Sequence, residues 1–106
     1  MARAEIGKVV EILRDAFEKK GIKVSQIVLF GSQARGTAGE ESDIDLVVIS
    51  EDFAGKDLFQ RAEITGDVHW EVVKKVLVPL DIIAMTFEEW ERGDLLAVGD
   101  SEVVYG

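Results

Sequence analysis

Ile27-Val28-Leu29-Phe30-Gly31-Ser32-Gln33-Ala34-Arg35-Gly36, followed by Ser42-Asp43-Ile44-Asp45-Leu46-Val47-Val48-Ile49, decides how this chain folds. Two short apolar runs read as neighbouring buried strands, and each is punctuated at one end. The first ends in a glycine turn, with Ser32 placed to cap a short helix. The second begins with two carboxylates one residue apart. Side chains alternate along a strand, so Asp43 and Asp45 share one face while Ile44 and Leu46 share the other. A helix start that offers free amides beside a carboxylate pair suits a nucleoside triphosphate carrying magnesium.

Composition narrows the classes that fit. The 106 residues are enough for one domain with a single core, 1–106. No apolar run reaches the roughly 20 residues of a membrane span, and the first residues lack a signal peptide's apolar stretch. With no cysteine there is neither disulfide nor thiolate chemistry, and a cytoplasmic location is expected. The absence of asparagine as well fits a heat-adapted source. The net charge of −9, from 21 acids against 12 bases, argues against direct binding to a nucleic-acid backbone, which calls for a basic surface. A nucleotide that arrives with cations remains compatible, because the cations bridge two negative partners.

Outward from the central stretch, Ile6, Val9, Val10, Leu13 and Phe17 recur at the spacing of an amphipathic helix over 2–20, closed by Lys19, Lys20 and Gly21. Strands are expected at 25–30 and 43–50, the second central and covered on both faces. Residues 56–76 read as helix, with Thr65-Gly66-Asp67 a place where it could break in two. Pro79 opens a third strand, 80–85, where a missing N–H costs least. Thr86 and Glu89 form a capping box for a short helix that stops at Gly93, and a last strand is expected at 102–105. The order α-β-α-β-α-β-α is an α/β (α+β) layer fold: a mixed sheet flanked by helices.

Between Gly36 and Gly55 stand six acidic residues and no lysine or arginine. Glu40, Glu41, Glu51 and Asp52 read as solvated loop charges. Asp43 and Asp45 differ because their strand is otherwise core, and Asp81 likewise interrupts the apolar run Leu80 to Met85. Three carboxylates converging on one sheet edge would repel one another unless cations bind between them, which makes Asp43, Asp45 and Asp81 the candidate Mg²⁺ ligands. Gly31 and Ser32 are the candidate phosphate seat. Arg35 could equally reach a phosphate or pair with a loop acid, and Gly36 reads as backbone geometry. His69, the only histidine, reads as a surface or packing residue. Trp70 and Trp90 read as core or interface.

The string Gly-Ser-Gln-Ala-Arg-Gly at 31–36, with Ser-Asp-Ile-Asp-Leu at 42–46, resembles the signature of the DNA polymerase β-like nucleotidyltransferases, above all their minimal members. The resemblance spans about residues 25–85, and Asp81 is the position that matches the family's third carboxylate. It implies transfer of a nucleoside monophosphate, AMP from ATP, to a hydroxyl with two Mg²⁺ ions. Asp43, Asp45 and Asp81 would be both catalytic and metal-binding, and Gly31, Ser32 and Arg35 would be nucleotide-binding. It also implies a partner, a helical HEPN toxin that the minimal enzymes silence by adenylylating a tyrosine. Trp90, Leu95, Leu96 and Val98 are candidates for that contact, with ordinary core packing an equal reading. Three alternatives stay open: a small-molecule nucleotidyltransferase, for which no residues remain to build an acceptor domain; a silent binding subunit; and a metal-binding domain without nucleotide. The acceptor, the base of the nucleotide, homo-oligomerisation and activity without a partner are not fixed by the sequence.

Overall fold

A computed structural model of the chain describes residues 3–31, 43–93 and 101–106, with the side chains of 3 and 4 excepted. The elements are α1 (Arg3–Lys19), β1 (Gln26–Phe30), β2 (Ile44–Ile49), a 3₁₀ turn (Glu51–Phe53), α2 (Leu58–Val76), β3 (Leu80–Met85), α3 (Phe87–Arg92) and β4 (Ser101–Tyr105). The helix expected to begin at Ser32, and any turn of helix in 94–100, lie outside the described residues.

One four-stranded sheet runs in the order β3-β2-β1-β4. β1 is antiparallel to both β2 and β4, and β2 is parallel to β3. A parallel pair cannot be joined by a tight turn, so the long helix α2 makes the crossover from β2 to β3. β2 is central and reads as a continuous apolar run because both its faces are covered: Leu46 and Val48 enter the main core, Val47 and Ile49 a second cluster. In the main core the α1 stripe of Ile6, Val9, Val10, Leu13 and Phe17 meets Val68 and Val72 of α2 across one sheet face. Phe17 and Phe53 pack edge to face, ring centres 6.1 Å apart. On the opposite face Trp90 packs with Val28, Val47, Ile49 and Met85.

Local signals set most boundaries. Gly21 adopts φ 81° after α1 and Gly93 φ 79° after α3, the left-handed closure that glycine makes cheaply. Both hydrogen bonds of the Thr86–Glu89 capping box form, and Asp57 with Gln60 makes a second such box at the start of α2. α2 runs unbroken through Thr65-Gly66-Asp67. An interior glycine costs about 1 kcal/mol, and the burial of Val68 and Val72 on the core face outweighs it. The helix ends at Leu77, which holds φ 56° and ψ 34°, a left-handed conformation in a bulky residue. Among the described residues, no helix is long and apolar enough to cross a membrane.

Candidate active site

The carboxylates gather at one end of the sheet, where β1 finishes and the parallel strands β2 and β3 begin. Asp43 immediately precedes β2 and is exposed; Asp45 lies inside it, half-buried. The parallel register sets Asp45 beside Asp81, with Ile44 beside Leu80 and Leu46 beside Ile82. Ile44 N–H donates to the Pro79 carbonyl over 3.0 Å, which extends this pairing to the strand entrance. Neighbouring strands stand about 4.8 Å apart, so two acids on one rung cannot avoid each other.

The two carboxyls influence each other. Burial raises the Asp45 carboxyl above the usual carboxylate range, and a hydrogen bond with Asp81 raises it further. The negative charges of Asp81 and Asp43 add to the shift. Two like charges this close disfavour each other's ionised form, and a bound cation would relieve both. Among the described residues no lysine, arginine or histidine forms an ion pair with any of the three acids. Nor do three acidic or imidazole groups there close into a preformed cage. Mg²⁺ needs no such cage: it keeps several waters and is held by one or two carboxylates together with substrate phosphates. The donor set of Asp45 and Asp81, with Asp43 beside them, fits that ion.

Gly31 closes the site from the β1 side. Its φ is 74°, and a Cβ built on it would collide with Asp45 Oδ2 and stand 3.3 Å from Asp45 Cγ. The left-handed turn favours glycine, and any side chain there would push aside the Asp45 carboxylate. Beyond a candidate phosphate seat, Gly31 is thus also the neighbour of the Asp45 carboxylate. Ser32, Arg35 and Gly36 lie outside the described residues, as do Leu95, Leu96 and Val98. Trp90 is half-buried in the second cluster.

His69 contributes more than packing. Its Nε2 lies 3.0 Å from the Leu80 carbonyl oxygen, which can only accept, so Nε2 carries the proton. This bond pins α2 to β3 one residue before Asp81. Thr65, Gly66, His69, Leu80, Asp81 and Ile82 line a groove of about 220 Å³ beside the carboxylates. Further along β3, Arg61 donates to Glu89 at 2.7 Å, to the Phe53 carbonyl at 2.9 Å and to the Lys56 carbonyl at 3.0 Å. The Arg61 guanidinium first, then the backbone bond from Thr86, hold Glu89 below the usual carboxylate range against the opposing effect of burial. No local spacing in the sequence announces either His69–Leu80 or Arg61–Glu89, because each partner is defined by the crossover.

The family model described as "Nucleotidyltransferase domain" matches residues 7–102. A protein of Methanocaldococcus jannaschii, provisionally named a protein adenylyltransferase, is 40% identical over 63 residues, which are 59% of this chain and 42% of that protein. The chain thus aligns with less than half the length of that relative. Among solved structures, a provisionally assigned nucleotidyltransferase from Sulfolobus solfataricus superposes with a TM-score of 0.66 at 20% identity, covering 97% of this chain and 87% of the other. The tri-AMPylated HEPN toxin of Shewanella oneidensis in complex with MNT antitoxin gives 0.57 at 18%, covering 100% and 73%. A toxin-antitoxin crystallised with AMP-PNP gives 0.60 at 21%, covering 93% and 71%. At these identities the structures establish a shared fold.

Proposed function

The chain belongs to the nucleotidyltransferase domain family, and from that premise we propose that it transfers AMP from ATP to a hydroxyl, that of a tyrosine on a HEPN-type partner, and acts as an antitoxin. The observation that carries the reading is the Asp45–Asp81 rung backed by Gly31: two carboxyls forced together, short of positive charge, at the open end of a sheet. The protein adenylyltransferase name of the M. jannaschii relative and the AMPylated toxin bound to the S. oneidensis antitoxin support the acceptor and the partner.

In this scheme the acceptor oxygen attacks the α-phosphorus of ATP in line. The new O–P bond forms as the bond from the α-phosphorus to the bridging oxygen breaks, and pyrophosphate leaves with the electron pair. Asp81, at the mouth of the groove lined by His69 and Thr65, accepts the hydroxyl proton. Asp43 and Asp45 face the triphosphate, and Gly31 with Ser32 and Arg35 seats its phosphates. Two Mg²⁺ ions, held by Asp43, Asp45 and Asp81, would supply the positive charge that offsets the attacking and leaving oxygens. His69 holds the start of β3 so that Asp81 keeps its place on the rung.

The experiment is to incubate the chain with a HEPN protein encoded beside it, ATP and Mg²⁺, and weigh the partner. A gain of one or more AMP units, absent with Asp43→Asn, is expected. A stable complex with no mass gain would reduce the role to a binding subunit, and the absence of a complex would overturn the partner.

A further inference from the structure

The outward face of α2 is unlike the surface of an acidic monomer. Phe59 is 84% exposed, Trp70 66% and Leu77 83%. Helical spacing places Phe59 and Trp70 on one line, and Leu77 caps the helix about 27 Å from Phe59. Gly66 lies on the same line, and a Cβ built there would meet nothing within 4 Å, so it forms an open notch. Leu77 is the more telling residue. It closes α2 in the left-handed conformation that favours glycine, and it points into water, which favours a polar residue. A leucine contradicts both preferences unless its side chain is used.

We propose that this face is a homodimer interface, in which α2 packs antiparallel against α2 of a second copy about a twofold axis level with Val68. The spacing is self-complementary, as an isologous contact requires. Such an axis sets Phe59 opposite Leu77 of the second copy, and Trp70 over the notch at Gly66 of the second copy, where it would border the groove beside Asp81. In an antiparallel pair, side chains on the same flank of the two helices meet. Glu63 and Lys74 lie on one flank and fall within one residue of each other across the axis, so opposite charges meet twice. Both are available for that role. Lys74 rests its ammonium 6.0 Å from the Trp70 ring centre, and Glu63 forms no ion pair among the described residues. The neighbouring acids Asp67 and Glu71 are instead engaged within the protomer by Lys20 and by Lys19 and Lys75. The three large side chains would remove roughly 400 Å² from each copy. A standard interface takes about 800 Å² a side, so the expected dimer is a weak, reversible one.

Sedimentation equilibrium of the full chain, from about 1 to 500 µM, tests this. A monomer–dimer equilibrium is expected. Trp70→Glu should raise its dissociation constant at least about 30-fold. Leu77→Gly should raise it about tenfold while leaving thermal stability equal or higher, since glycine suits the left-handed turn; this variant separates loss of contact from loss of fold. Glu63→Lys and Lys74→Glu should each weaken the dimer several-fold, and the double exchange should restore it. A monomer throughout, or a dimer indifferent to Trp70→Glu and Leu77→Gly, would overturn the proposal. A chain that stays monomeric but loses a heterologous protein through these same substitutions would assign the face to that protein and equally overturn it.

Discussion

Asp45 and Asp81 stand on the same rung of a parallel strand pair, and the neighbouring Asp81 helps to raise the half-buried Asp45 carboxyl above its ordinary value. Two like acids are thereby held within reach by backbone pairing that neither side chain can relax. The arrangement opposes the stability of the cation-free fold and favours whatever brings positive charge.

Asp45→Asn should therefore leave the cation-free protein as stable as the parent or more stable at neutral pH, while abolishing transfer. The direction of the pH effect follows from the raised carboxyl. The folded state binds this proton more tightly than the unfolded chain does. Its contribution is thus fully present below the unfolded value, about 3.9, and is lost as pH rises through the folded one. Thermal melts at several pH values without metal should show a smaller loss for Asp45→Asn across that interval. Equal slopes in the two proteins would remove Asp45 from the cluster. In calorimetric titration both Asp43→Asn and Asp45→Asn should weaken Mg²⁺ or Mn²⁺ binding.

Gly31→Ala should act on Asp45 before it acts on phosphate. The new methyl meets the Asp45 carboxylate, so affinity for Mn²⁺ and for a non-hydrolysable ATP analogue should fall together. Ser32→Ala, if its hydroxyl contacts phosphate, should cost about 1 kcal/mol in nucleotide affinity alone. Separate titrations with the ion and with the analogue distinguish the two; a Gly31→Ala protein that binds the ion normally would refute the contact.

Arg61 and Glu89 tie α2 to the start of α3, and Glu89 also accepts from Thr86 N–H at 2.7 Å. Glu89→Gln should destabilise the fold by about 1–2 kcal/mol at pH 7. The lowered carboxyl gives the sign: its contribution is present above the unfolded value near 4.3 and disappears as pH falls through the folded one. Denaturant midpoints for parent and variant should converge on acidification. A gap that persists at pH 2 would mean the loss is not electrostatic.

His69→Ala should slow transfer and weaken Mn²⁺ binding together, because it frees the start of β3 that carries Asp81. His69→Gln, which can still donate to Leu80, should recover part of the rate. A full rate in His69→Ala would reduce this bond to packing.

Much of the molecule was legible in local pattern. The helical stripe of α1, the strand Leu80–Met85, the Thr86–Glu89 box and the stop at Gly93 all follow from periodicity and capping chemistry, which act within a few residues. The continuity of α2 was not legible, because Gly66 lowers local propensity and only the burial of Val68 and Val72 compensates. Nor could pattern tell that Trp70 faces water while Trp90 packs against the sheet. By itself the sequence determined that Asp43 and Asp45 lie two residues apart at the entry of an apolar strand, and that Asp81 breaks another. The tertiary structure decided that β2 and β3 pair in parallel, in the register that sets Asp45 beside Asp81 and against Gly31. The physical reason is that register is chosen by which faces the crossover helix can bury, a long-range condition that no local spacing encodes.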